Sequence, residues 1–325
     1  MKLPRRQFLH LAAGAAALPA VSRIARAQTY PARPVRIIVG NAAGSASDII
    51  ARLMGQWLSE RLGQQFIVEN RPGAGGNIAT EAVTRSPPDG YTLLLVVSAN
   101  TINATLYDKL NFNFLRDIAP VASIARVPLV MDVNPSVPAK TVPEFIAYAK
   151  ANPGKINMAS AGNGTAVHVC GELFKMMTGV DMVHVPYRGT PLAMTDLFGG
   201  RVQVIFDNLP GSIGYIRAGK LRALAVTTTT RSPLLPDVPP LSDFVPGYAA
   251  SAWFGVGAPR NTPTEIIERL NWEINAGLAD PAMQTPLTEI GGTMMPGSPA
   301  DLSRLMAQET EKWGKVVRFA GLKPE

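Results

Sequence analysis

The chain has 325 residues, of which 46% are hydrophobic and 17% charged, with a single cysteine. That length exceeds what one hydrophobic core usually supports, so two domains are expected of an ordinary globular composition. The net charge of +7 invites nucleic acid as a partner. However, Lys2, Arg5, Arg6, Arg23 and Arg26 all fall in the first 27 residues without one acid, which leaves 26 basic against 24 acidic residues beyond them. A net +2 with no basic run argues against nucleic-acid binding.

Residues 1–27 read as a cleaved export signal: a basic start, an apolar run over 8–18, and Ala25-Arg26-Ala27 as a small-x-small site. The run is about half the length that spans a bilayer. Arg5-Arg6-Gln7-Phe8-Leu9 fits the twin-arginine pattern, and a Sec signal with two incidental arginines is the alternative. Either route predicts a periplasmic protein that begins near Gln28.

Beyond the signal, two stretches echo each other. The first has a strand over 35–39, a small-residue turn, a helix over 48–62 and a strand over 65–69. It continues with a glycine-rich loop over 70–77, a short helix to about Arg85 and a strand over 91–97. The second has a strand over 155–159, the turn Ser160-Ala161-Gly162-Asn163-Gly164-Thr165 and a helix over 166–178. A strand over 182–186, a short helix to Phe198 and a strand over 202–207 follow. Both are βαβαβ units, which predict two parallel sheets with right-handed crossovers. Ile49, Ile50, Leu53, Met54, Trp57 and Leu58 recur at helical spacing with Gly63 as a stop, so Met and Trp there are core fillers.

Residues 117–134, rich in β-branched side chains, predict a strand passing from one domain to the next, and 221–228 followed by 252–258 the way back. Helices are expected over 264–278 and along the amphipathic stretch from Leu302 to Val317. The resulting α/β architecture has two lobes, each a mostly parallel sheet flanked by helices, hinged around a cleft. Lobe 1 takes 28–124 and 252–325, with the last helix able to pack on both lobes, and lobe 2 takes 125–251. Cys170 cannot form an internal disulfide and sits in an apolar helical stretch as a structural thiol.

In open parallel sheets, ligands sit beyond the carboxyl ends of strands. The turns 40–48 and 160–165 each aim backbone N–H groups from a helix start, and small residues let an anion approach. From the first turn the candidate binding residues are Asn41, Ala43, Gly44, Ser45 and Ser47. From the second they are Ser160, Gly162, Asn163, Gly164, Thr165 and His168. Two such turns at equivalent places are able to grip one anion from both sides. Asn100, Thr101 and Asn103 follow the equivalent strand of lobe 1 and are able to donate to a second carboxylate; Ser98 in the same turn joins the set. Asp207, at a strand end, either accepts a hydrogen bond from the ligand or braces its loop. Asp48 would repel an anion unless turned aside, and an N-cap role suits it.

Other chemistries fit less well. No Gly-Lys-Ser/Thr follows the glycines of either turn, and the glycines at 73, 75 and 76 miss G-x-G-x-x-G spacing, so a nucleotide loop is excluded. No G-x-S-x-G elbow occurs, and only His168 and His184 lie beyond the signal. Catalysis is not expected, an exported hydrolase being the remaining enzymatic reading. No metal-ligand spacing is present and no cofactor is implied.

The runs Tyr30-Pro31-Ala32-Arg33-Pro34-Val35-Arg36, Val68-Glu69-Asn70-Arg71-Pro72-Gly73-Ala74-Gly75-Gly76-Asn77 and Asp89-Gly90-Tyr91-Thr92-Leu93 resemble Bug-type solute receptors of tripartite tricarboxylate transporters. His184-Val185-Pro186-Tyr187, Phe206-Asp207-Asn208 and Trp253-Phe254-Gly255 continue the resemblance over essentially the whole chain past the signal. It implies a two-lobed, monomeric "Venus flytrap" that binds a small organic acid and serves membrane permease subunits. It also implies that loops 40–48 and 160–168 hold one carboxylate, with Asn100 and Asp207 among the residues reading the distal end. A sensor subunit presenting its ligand to a signalling partner is the second reading. Members often carry an aromatic or proline followed by Pro-Gly-Gly in the first loop; here Asn41-Ala42-Ala43-Gly44-Ser45 stands instead, which bears on ligand identity.

Overall fold

Strand β1, Val35–Val39, is apolar at four of five positions and lies at the centre of a βαβ arrangement in the computed structural model, which describes residues 30 to 324. The expected export signal, residues 1–27, lies outside the described residues. β1 pairs in parallel with β2, Phe66–Asn70, on one side and with β3, Thr92–Val97, on the other. All six residues of β3 are buried, as a strand covered on both faces requires.

The first sheet has the order β11-β4-β10-β3-β1-β2, with β4 Ile118–Val127, β10 Ala252–Pro259 and β11 Thr293–Met294. The second has the order β7-β6-β8-β5-β9, from β5 Leu129–Val133, β6 Ile156–Ser160, β7 Met182–Pro186, β8 Val204–Asn208 and β9 Arg222–Val226. Five positions of the two sheets match, and the short edge strand β11 of the first has no counterpart in the second. In each, the unit's first strand pairs in parallel with its second and third, and a strand from a crossing segment then pairs antiparallel to the third: β10 against β3, β5 against β8. The sheets are therefore mixed rather than parallel throughout. The strands that link them must return through the sheet, and return strands run backwards.

The single strand expected over 117–134 is two strands. Pro128, which has no N–H for a ladder, separates β4 of the first sheet from β5 of the second, and its carbonyl accepts from Leu209 N at 3.0 Å. The way back leaves β9 and re-enters at β10, with Ala250 N donating to Thr227 O at 3.0 Å. Helix Pro299–Ala320 then lies over both lobes, packing on helix Ser98–Leu106 and β4 on one side and on helix Ala166–Thr178 on the other. Cys170 is fully buried in the last of these, and burial pushes its thiol up to about 12, which leaves it an inert core group. Among the described residues no helix is long and apolar enough to cross a membrane.

Candidate functional site

The strand order of each unit dictates where a ligand can sit. The chain goes from β1 outward to β2 and then back across to β3, so the turns after β1 and β3 leave in opposite directions and open a crevice. β6, β7 and β8 repeat this. A cleft of about 330 Å³ lies where the two crevices face each other, a size suited to a small ligand. From the first lobe it is lined by the turn after β1, by the 73–76 loop and by Val97, Ser98 and Ala99. From the second it is lined by Ala161 and residues 163–167, with Thr190 and Asn208. Ala252 and Phe254 of β10 complete the wall.

The two turns are built alike. Gly44-Ser45-Ala46-Ser47-Asp48 and Gly164-Thr165-Ala166-Val167-His168 each start a helix with a hydroxyl N-cap. Ser45 Oγ accepts from Asp48 N and Thr165 Oγ1 from His168 N, both at 3.3 Å. The cap residues are extended, with φ near −70°, and the glycines before them are left-handed, at φ +78° and +71°. In both turns the glycine N–H points back at the residue four ahead. Gly44 N donates to Asp48 Oδ2 at 2.9 Å, and Gly164 N donates to His168 Nδ1 at 3.2 Å.

These bonds decide which donors remain. The glycine amides, the obvious candidates from sequence, are occupied. The amides of Ala46 and Ser47, and of Ala166 and Val167, are the first-turn donors that a helix leaves unpaired, and all four residues line the cleft. Two pairs of N–H groups at the positive ends of two helix dipoles thus bound one space. Among the described residues none that lines the cleft is charged, so the lining can attract an anion through amide dipoles and hydroxyls.

Of the residues predicted from sequence, Asn41, Ser45, Ser47, Ser98, Asn163, Gly164 and Thr165 line the cleft. The others lie elsewhere, each for a visible reason. Ala43 and Gly44 face outward on an exposed loop. Gly162 is a turn residue whose carbonyl accepts from Thr165 Oγ1 at 2.7 Å. Asn100 is buried, accepting from Val97 N at 2.7 Å and donating to Thr80 Oγ1 at 3.0 Å, so it fastens the start of its helix. Ser160 is buried with its Oγ 2.6 Å from His184 Nε2. His168 is buried and stacked on His184, with ring centroids 3.5 Å apart. Burial and the neighbouring His168 push His184 down to about 3.

Asp48 is not the cap. It sits one turn in, and the Arg52 guanidinium, whose Nε donates at 3.0 Å, holds its carboxyl below the usual carboxylate range. Its charge is thereby turned from the cleft and neutralised. Asp207 braces: it is buried and accepts from the hydroxyls of Thr190 at 3.2 Å and Ser212 at 3.4 Å. Burial pushes it up to about 6, and pushes its fully buried neighbour Asp132 well above the ordinary range.

Sequence reasoning missed Thr190, Asn208 and the 73–76 loop. Thr190 and that loop follow the second strand of each unit, and Asn208 follows the third strand of the second unit, at the same carboxyl edge; the rule that found Ser45 and Thr165 extends to them. Among the described residues no group of three or more His, Cys, Asp and Glu side chains is placed to hold a metal.

Residues 50–322 match the family described as "Tripartite tricarboxylate transporter family receptor". The chain is 38% identical over 300 residues to protein BugT of Bordetella pertussis, covering 91% of this chain and 92% of that one. Among solved structures it is similar to R. palustris Rpa4515 with adipate, at 40% identity and a TM-score of 0.82, over 91% of this chain and all of that one. It is also similar to MatC (Rpa3494) from Rhodopseudomonas palustris with bound malate, at 31% identity and a TM-score of 0.78, over 89% of this chain and all of that one.

Proposed function

The chain belongs to the receptors of the tripartite tricarboxylate transporter family, and from that premise we propose that it captures a small organic carboxylate in the cleft between its lobes. The carrying observation is the pair of facing helix starts, Ala46-Ser47 and Ala166-Val167, whose free amides bound a cleft without a charged side chain. A carboxylate between them accepts from both lobes only when they are close. Its better contacts in the closed state are what shift the equilibrium toward closure. Adipate and malate, bound by two relatives, support a dicarboxylate as the ligand class to try first. Ser98, Asn163 and Thr190 are the polar side chains nearest to hand for the distal end.

In this reading the lobes divide at Pro128, past the expected 124/125 because β4 runs to Val127 within the first sheet, and at 251/252, and residues 1–27 direct export to the periplasm and are removed near Ala27. The closed receptor hands its cargo to membrane permease subunits and turns nothing over. A monomer suffices, because both halves of the clamp come from one chain.

Proline offers a clean test. Ala46 and Ala166 are the first residues of their helices, where proline fits, and the residues before them already have the extended backbone that proline demands. Ala46→Pro and Ala166→Pro each delete one free N–H and leave the helix intact. Titration calorimetry against mono-, di- and tricarboxylates identifies the ligand. Each variant is expected to weaken it by roughly tenfold to a hundredfold, the worth of one hydrogen bond to a charged group, with melting unchanged. Undiminished affinity in both variants removes the amide clamp; melting shifts with neutral sugars and none with acids removes the ligand class.

A further inference from the structure

A second cavity, of about 340 Å³, lies away from the cleft. Its wall is drawn from every segment that joins the two sheets. Arg126 stands two residues before Pro128, where β4 gives way to β5. Thr228–230 and 249–251 form the two ends of the return path, and Glu309 and Lys312 come from the helix that lies over both lobes. Thr293 adds a hydroxyl beside Arg126, its register partner on β11.

The charge balance of this cavity is unsatisfied. Glu309 is committed twice over, accepting from Lys312 Nζ and, at 2.7 Å, from Trp313 Nε1. Arg126 has no acceptor: among the described residues no carboxylate lies within ion-pairing distance of it, and its Nε is buried without a hydrogen-bond partner. An orphaned donor on a cation is costly to bury and rarely left so without a use. Thr229, Thr230, Ser251 and Thr293 offer hydroxyls with no partner among the described residues. The lining sums to one uncompensated positive charge among hydroxyl donors, the chemistry that takes an oxyanion, and guanidinium matches the edge of a carboxylate or phosphate.

We propose that this hinge cavity is a second binding site, for a small oxyanion held by Arg126 and the surrounding hydroxyls. It does not depend on what the cleft binds. Calorimetry with inorganic phosphate and, separately, acetate in chloride-matched buffer tests it on the mature protein, on the Ala46→Pro/Ala166→Pro double variant, on Arg126→Gln and on Arg126→Lys. One anion is expected to bind the double variant as it binds the unaltered protein, at least tenfold more weakly in Arg126→Gln, with Arg126→Lys between. A preference for phosphate identifies a tetrahedral ligand and a preference for acetate a carboxylate. Thr230→Trp, at the exposed rim, is expected to block the cavity and repeat the loss without touching the core, should Arg126→Gln fail to fold. Binding that survives both Arg126→Gln and Thr230→Trp, or that is absent from the double variant, overturns the proposal.

Discussion

His168 accepts the backbone N–H of Gly164 at 3.2 Å through Nδ1, so its ring proton sits on Nε2, which faces the Glu172 carboxylate at 3.6 Å. The histidine thus fixes the turn from behind, as Asp48 fixes its counterpart in the other lobe. His168→Ala strips a buried amide of its acceptor. A loss of about 1–3 kcal/mol in denaturant unfolding is expected, together with weaker carboxylate binding. Binding lost with stability intact would instead mean that His168 touches the ligand.

The two turn glycines should respond differently to a side chain. A Cβ on Gly164 runs into Leu106 of the opposite lobe, whereas one on Gly44 meets nothing within 4 Å. Both adopt a left-handed backbone, so both alanine variants carry some strain. Gly164→Ala is expected to hold the lobes apart, lower affinity and raise the radius of gyration with ligand present; adding Leu106→Ala should restore closure. Gly44→Ala should bind normally. Scattering and calorimetry on the three proteins decide it.

Asp207 gives stability a component that falls as pH rises. Burial lifts its folded value to about 6 from the ordinary 3.8, so between these values the folded state holds more proton than the unfolded one. The stabilisation present at low pH is lost through that window, by at most about 3 kcal/mol for a shift of this size. Asp207→Asn should remove this falling component between pH 4 and 6 and leave a profile that rises with pH more steeply than the unaltered chain's. An unchanged profile would assign the slope to Asp132.

His184 acts in the opposite sense. Its folded value of about 3 lies below the ordinary 6.5, so unfolding takes up a proton and stability drains away as pH falls from 6.5 toward 3. His184→Gln should reduce acid sensitivity in that range while Asp207→Asn should unmask it. Urea midpoints across pH for the two variants and the double variant separate the contributions. Because the two slopes oppose each other, the double variant should resemble the unaltered chain between pH 4 and 6, and single variants that each leave the profile unchanged would rule both residues out.

The architecture was largely legible because its period is written twice. The apolar strands, the Gly-Ser/Thr turns and the glycine stops at Gly63 and Gly179 recur in register, and those local rules survive folding. Pro128 carried a signal that the reading of 117–134 as one strand passed over: it has no N–H for a ladder and falls where the chain leaves one sheet for the other. The binding donors were harder to read. Whether Gly44 or Ala46 offers its amide depends on where the Asp48 carboxylate swings, a side-chain choice made by Arg52. Asn100 and Asp207 have the composition of ligand contacts, yet lie one layer behind the wall because Val97 and Thr190 need their hydrogen bonds. Arg126 gave no sign at all: its isolation follows from what surrounds it in space, brought from over 180 residues along the chain.

A cleft wall with no lysine or arginine among the described residues also bears on how cargo leaves. On the proposed reading, the lobes part with no ion pair to break, and the four amides exchange a carboxylate for water at nearly even cost. Without a fixed countercharge there is little long-range steering of arrivals, and binding strength should barely respond to dissolved salt. Opening alone then suffices for release, and the receptor gains a trigger that is mechanical rather than ionic.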